Sequence, residues 1–213
     1  MSTGGLLILG FGGHARSVAD IALSAGISLL QFYDPQARPG EAFCGFPAVD
    51  ALPRELADGW CFLPASGDSR TRQTQMQAFG AGRLATLVSP RSFVGVEARV
   101  GAGSLVAHSA HIGPATRIGK AVIINTGAIV DHESTVGDCS HVSVGATVAG
   151  RCSIGRRVMV GAGATVLDRV SIADDIIIGG GAVVVSDLAE PGIYVGIPAR
   201  LLRRTVPDAE TAA

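Results

Sequence analysis

Several things are missing from this chain of 213 residues, and each absence narrows its function. There is almost no net charge: the formal value is −1 at pH 7, so no basic surface is available to hold nucleic acid or an anionic membrane. Small-molecule partners are expected instead. The four cysteines, Cys44, Cys61, Cys139 and Cys152, include no CxxC pair, which argues against a metal knuckle or a disulfide framework. The opening Met1-Ser2-Thr3-Gly4-Gly5 lacks the basic charge of a signal peptide, and a reducing cytoplasm is the expected compartment. No apolar run reaches the roughly 18 residues of a membrane helix, because Gly, Asp or Arg interrupts each one. What the chain does have is core material, 47% hydrophobic residues, enough for one large domain or two small ones rather than a disordered chain.

From Val94 onward the sequence repeats every six residues. All sixteen positions of the form 94+6n, from Val94 through Val130 and Val148 to Val184, are Val or Ile, which chance does not produce. The next position is mostly Gly, Asn, Asp, Ala or Ser, as a tight corner requires. Four after each Val or Ile comes a compact residue such as Ala98, Ser104, Ala110, Ala146 or Cys152. Three hexads make a triangular coil of 18 residues, so the repeat predicts roughly five coils stacked about 4.8 Å apart. Flat faces and open ends on such a prism favour assembly about a threefold axis, and a homotrimer is expected.

The N-terminal stretch reads differently. Residues 6–9 predict a buried strand, 15–25 a helix and 27–33 a second strand ending at Asp34. Residues 60–63 predict a further strand, 70–79 a helix, and 84–88 a strand leading into the prism. The expected organisation is a small, mainly parallel Rossmann-like α/β domain over 1–88, a parallel β-helix over 89–186, and a C-terminal cap and tail over 187–213, its last few residues frayed.

Two constellations carry chemistry. Gly10-Phe11-Gly12-Gly13-His14-Ala15 follows a strand and opens a helix, so Gly10, Gly12, Gly13 and His14 could admit a nucleotide phosphate to free backbone N–H groups, or could simply form a tight turn. Asp34 could meet a ribose or base, or start a turn at Asp34-Pro35. Gly67 and Asp68 fall at the same carboxyl edge of the sheet, as a ligand loop or an ordinary helix cap. About 87 residues leave too few strands for a full dinucleotide domain, which disfavours a dehydrogenase.

The second constellation is 125–133, Asn-Thr-Gly-Ala-Ile-Val-Asp-His-Glu. His132 is the best general-base candidate, since an amine or hydroxyl attacking a thioester must lose a proton near neutral pH. Glu133 is placed to fix its tautomer. Gly150 lies 18 residues on, one coil along the same stack, where a bare backbone N–H can meet an oxyanion. A solvated histidine and a routine corner glycine are the plain alternatives. His141 could face substrate or merely stand on a face. A zinc site built from His108, His111, His132 and His141 needs ligands in one stack, yet modulo 18 these four fall at 0, 3, 6 and 15, so only a trimer interface could gather them.

These motifs together resemble the hexapeptide-repeat acyltransferases, and most closely the bacterial nucleotide-sugar N-acetyltransferase and sialic acid O-acetyltransferase branch. The residues that carry the resemblance are GFGGHARSV near the start, the unbroken hexads, INTGAIVDHESTVGDCSHVSVGATVAG at 124–150 and VGIPAR at 195–200. The resemblance implies a left-handed β-helix and a homotrimer with active sites between subunits. By it, His132 is the base, Glu133 its orienting carboxylate and Gly150 the oxyanion donor. Gly10, Gly12, Gly13, His14, Asp34, Gly67 and Asp68 would bind the nucleotide sugar. Asn125, His141, Gly161, Ala162, Gly180, Pro198, Ala199 and Arg200 would hold acetyl-CoA, with no metal, and Arg200 is suited to a phosphate. The implied reaction is N-acetylation of a nucleotide-linked 4-amino-4,6-dideoxy sugar by direct transfer. Sialic acid O-acetylation, or a non-catalytic sensor on a β-helix scaffold, are the rival functions.

Overall fold

The computed structural model describes residues 4–205. The N-terminal domain runs β1 (Leu6–Leu9), α1 (Gly13–Ser24), β2 (Leu30–Tyr33), β3 (Ala42–Phe43), β4 (Phe46–Val49), β5 (Cys61–Pro64) and α2 (Ser69–Gln75). Its sheet has the order β3-β4-β2-β1-β5, parallel except for the β3-β4 hairpin. β1 is central, and all four of its residues are buried, as a parallel strand covered on both faces requires.

Local chemistry explains where these elements depart from the sequence reading. β2 begins at Leu30 because Gly26, at φ +86, and Ile27 are used to close α1: the Ile27 N–H donates to the Ala22 carbonyl and the Gly26 N–H to that of Leu23. α2 stops at Gln75, whose side-chain amide turns inward to donate to the Leu9 carbonyl at 2.9 Å. The 84–88 strand is divided. Leu84 only bridges to Phe62, and β6 (Leu87–Val88) already pairs with Leu105–Val106. The β3-β4 hairpin was not foreseen. Cys44 and Gly45 both have positive φ, a pairing that suits a two-residue hairpin turn.

Every later coil obeys the period. From Leu87–Val88 to Thr165–Val166 each two-residue strand pairs in parallel with the strand 18 residues on, as Ile123–Ile124 does with His141–Val142. The strands form a first face of eight, containing β6, a second face of six beginning at Phe93–Val94, and a third face of five beginning at Arg99–Val100. The Val and Ile column is buried from Val106 to Val184, and only Val94 and Val100, where the stack starts, are open. Each such burial contributes roughly 1.5–3 kcal/mol. Fully buried Ser104, Ser134 and Ser140 accept an N–H from the residue 18 positions on and donate to a carbonyl 15 positions on, so these hydroxyls carry no desolvation debt.

The corners correct one expectation. The conformationally special residue is not the one after each Val or Ile but the one two further on: positions 97+6n from Glu97 to Gly181 all have φ between +49 and +78. Ten of these fifteen are not glycine and accept the left-handed conformation. Glycine at the earlier position answers a different need. At Gly113 an added Cβ would lie 2.6 Å from the His132 backbone nitrogen, so it is coil-to-coil approach that excludes a side chain there.

Beyond the last coil, Gly192–Val195 extends the first face and Arg200–Arg204 folds back antiparallel. The chain is paired up to Arg204, and the frayed tail expected of the last few residues falls on residues 206–213, outside the described residues. The two domains share a core in which α1 and β2 pack with Leu87, Leu105, Ala107 and Ile123 of the first face. A second tie runs through His108, whose Nδ1 lies 2.6 Å from the Ser89 hydroxyl and whose Nε2 lies 3.1 Å from the Asp20 carboxylate on α1. These are the residue types of a hydrolase triad, but Ser89 is 2% exposed and also accepts the Arg91 N–H. The arrangement fastens α1 to the prism and presents no accessible nucleophile.

Candidate active site

The Gly-rich turn leaves the head of α1 open. α1 begins at Gly13 with Gly12 as its cap, no side chain caps the end, and no acidic residue lies in its first turn. Added Cβ atoms at Gly12 and Gly13 would meet nothing within 4 Å, so the first N–H groups of α1 face free space suited to a phosphate. Gly10, at φ +136, makes the reversal into this turn. Asp34 shapes the same turn, accepting the Phe11 N–H at 3.0 Å and the Gln36 N–H at 2.9 Å. Asp68 caps α2 by accepting the Thr71 N–H at 2.8 Å, and this bond holds its carboxyl below the usual range.

His132, Glu133 and Gly150 share the prism edge between the second and third faces. Gly113 below His132, and Gly150 above it, are both needed. A Cβ on Gly150 would fall on the imidazole edge at Nε2 and Cε1, so only glycine admits the ring this close to the backbone. Among the described residues the Gly150 N–H donates to no protein acceptor, and the His132 side chain is 37% exposed. The imidazole therefore stands beside an unused N–H. Glu133, in the left-handed conformation, has its carboxylate 3.8 Å from His132 Nδ1 and accepts a 2.8 Å bond from Arg151 one coil along. Asp168, next in this column and not singled out from the sequence, would sit 3.0 Å from that added Cβ.

Asn125, Gly161, Ala162 and Gly180 lie on a different edge, between the first and second faces. They follow one another up the stack towards the C-terminal turn that holds Pro198, Ala199 and Arg200, where the Ala199 N–H donates to the Val183 carbonyl. Asn125 Nδ2 is 3.0 Å from His141 Nε2. His141 is brought to the N-terminal domain: its ring centroid is 6.1 Å from that of His14, and with Gly67 and Asp68 it lines a cavity of about 470 Å³. Burial first, and the nearby Arg72 guanidinium second, lower His14 to a pKa of about 4 and His141 to about 3. Both rings are neutral at physiological pH. The same cavity is also lined by a bidentate Arg157–Asp175 pair at 2.8 and 2.6 Å.

One chain thus brings His14, Gly67, Asp68, Asn125 and His141 together but leaves His132 and Gly150 on the edge opposite the first face. Among the described residues no group of three or more His, Cys, Asp or Glu side chains is placed to hold a metal. No described helix is long and apolar enough to cross a membrane. Arg72, fully buried at the domain junction, is the residue that the sequence reading missed. It lies in Ser-Arg-Thr-Arg-Gln-Thr-Gln, a helix with no apolar period to mark an inward position.

A parallel β-helix of hexapeptide coils places the chain among the hexapeptide-repeat transferases. The family described as the PglD N-terminal domain matches residues 5–79. PerB from Caulobacter crescentus, solved with CoA and GDP-perosamine, is 34% identical over 93% of this chain and 97% of its own, with a TM-score of 0.82. The acetyltransferase domain of PglB from Neisseria gonorrhoeae FA1090, solved with acetyl coenzyme A, is 28% identical over 95% of this chain and 100% of its own, with a TM-score of 0.85. No curated protein matches the chain in sequence. The chain belongs to the hexapeptide-repeat nucleotide-sugar N-acetyltransferase family.

Proposed function

We propose that this protein transfers the acetyl group of acetyl-CoA to the amino group of a nucleotide-linked 4-amino-4,6-dideoxy sugar. The observation that carries the proposal is the exposed His132 imidazole lying against the backbone of Gly150, whose N–H is unused. The sugar amine attacks the thioester carbonyl, a C–N bond forms, and the Gly150 N–H meets the oxyanion. His132 takes the amine proton and returns it to the CoA thiolate as the C–S bond breaks. Glu133 serves to orient the ring.

The first α1 N–H groups and the 67–68 loop suit the nucleotide sugar, and the Asn125 edge suits acetyl-CoA. These two sets meet each other within one chain while the His132 edge lies away from them, which favours a homotrimer whose sites join two subunits. Such an enzyme would work in the cytoplasm, preparing sugars for a bacterial surface glycan. PerB, crystallised with GDP-perosamine, supports a nucleotide-linked amino sugar as acceptor.

The test is thiol release from acetyl-CoA against a panel of UDP-, GDP- and dTDP-linked amino sugars and their hydroxyl counterparts, with light scattering on the same samples. Turnover on an amine and a trimer are expected. Turnover only on hydroxyls, or a fully active monomer, would overturn the acceptor or the assembly respectively.

A further inference from the structure

Arg72 is fully buried, yet among the described residues no carboxylate lies within ion-pair distance of it. All five of its N–H donors go to main-chain carbonyls. Nη1 donates to Ser66 at 2.9 Å and Gly67 at 3.1 Å, in the loop before α2. Nε donates to Ala121 at 2.7 Å, and Nη2 to Ser140 at 3.2 Å and to Cys139. Ala121 and Cys139 are left-handed corner residues of successive coils, and Ser140 directly precedes His141. One guanidinium therefore spans the loop and two coils of the prism.

Burying this cation is costly, and its pKa is lowered to about 10 mainly by desolvation, so it stays charged at neutral pH. An apolar side chain would fill the space at lower cost if filling were its only task. What an apolar side chain could not do is bind Ser66 and Gly67 to the corner that leads into His141. Nor could it bias the imidazoles. The groups that face this cation are His14 on α1, His141 on the first face, the Cys139 thiol at the corner and Asp68 at the head of α2; Asp138 and Arg157 act in turn on Cys139.

We propose that Arg72 is a positioning residue that holds the acceptor-binding loop in register with the acetyl site, by clamping Ser66 and Gly67 to the coil that carries His141. This rests on the reading of Gly67 and Asp68 as acceptor contacts. Arg72 touches neither substrate; it acts through the loop and through His141, which must be neutral to accept from the Asn125 amide.

The experiment compares Arg72→Met and Arg72→Lys with the parent by amide hydrogen exchange, by NMR titration of the histidines and by steady-state kinetics. In Arg72→Met, exchange at Gly67 should rise about tenfold or more, and His14 and His141 should titrate about one pH unit higher. The acceptor KM should rise about tenfold with the acetyl-CoA KM held within about twofold. Arg72→Lys keeps the charge and should restore the titration, but not the exchange or the acceptor KM. Parent-like exchange and acceptor KM in Arg72→Met, or equal losses on both substrates, would overturn the proposal. If Arg72→Met fails to fold, Arg72→Lys decides by the same measures. The exchange and titration need no acceptor. A loosened loop with an unchanged acceptor KM would therefore overturn the acceptor role of Gly67 and Asp68 rather than the clamp itself.

Discussion

The prism and the N-terminal domain differ in how each completes its core. The prism is closed: one apolar cluster runs from Val106 to Ala199, and every member comes from its own coils or C-terminal turn. The N-terminal domain is open on one side. Its larger cluster takes in Leu87, Leu105, Ala107 and Ile123, which belong to the first face, and its own remainder is the small group around Leu7, Leu9 and Phe62. The domain proposed to bind the acceptor is mounted on the domain proposed to bind acetyl-CoA, and Arg72 and the Asp20–His108–Ser89 link fix the mounting. An enzyme that must align two substrates gains from this asymmetry, because small misplacements are costly in rate.

The strongest way to break the comparison is to separate the two parts. A fragment of residues 87–205 should retain cooperative thermal unfolding by circular dichroism, and one of residues 4–86 should not, since its core would lie exposed. A cooperative melt of the smaller fragment near the temperature of the whole chain would contradict the shared core. The next largest effect concerns chemistry. His132→Asn keeps a polar side chain at the exposed corner and should lower kcat by roughly 10²–10⁴-fold, with both KM values little changed. Activity within a few-fold of the parent across pH 6–9 would remove His132 as the base.

Much of the prism was legible because each residue's position follows from its number. Sixteen Val and Ile at a fixed interval mark the faces, and a separation of 18 puts Gly150 over His132, where the structure has it. The left-handed corner position was not legible, since Glu133, Cys139 and Arg157 accept it without any glycine signal. In the N-terminal domain the β1-turn-α1 unit could be read from Gly10, Gly12 and Gly13, but β3, β4 and Arg72 could not. β3 is a two-residue edge strand that pairs only with its hairpin neighbour β4 and has no period to read, while Arg72 depends on partners remote in sequence, its acceptors at Ala121, Cys139 and Ser140 lying 49, 67 and 68 residues away.

A milder test sharpens the division of labour. Gly12→Val should leave the fold intact, because nothing in the protein lies within 4 Å of the new Cβ. It should fill the path of a phosphate and weaken acceptor binding about tenfold or more while acetyl-CoA binding is retained. Calorimetry with each ligand measures this, and loss of acetyl-CoA binding alone would reverse the assignment of the two domains.

The smallest expected effect is a pH dependence of stability that originates at the junction. His141 has a folded pKa of about 3 and His14 of about 4, against an ordinary value of 6.5. Between pH 6.5 and those values the unfolded chain holds protons that the folded chain does not, so the histidine contribution makes stability fall as pH falls and is exhausted near pH 3. Each fully shifted histidine contributes at most about 1.4 kcal/mol per pH unit. Asp68 and Asp175, whose carboxyls are depressed by the Thr71 N–H and the Arg157 guanidinium, lose their contribution only as pH falls towards and below their ordinary 3.8. Glu41, depressed from 4.5 by the Arg38 N–H and guanidinium, enters near pH 4.5, so urea unfolding at pH 6.5, 6.0 and 5.5 reads the histidines largely alone. The parent should lose stability across this window, and His141→Gln, which cannot take up a proton, should lose it about half as steeply. An identical slope in parent and variant would place the buried charge elsewhere and leave His141 outside the acid response.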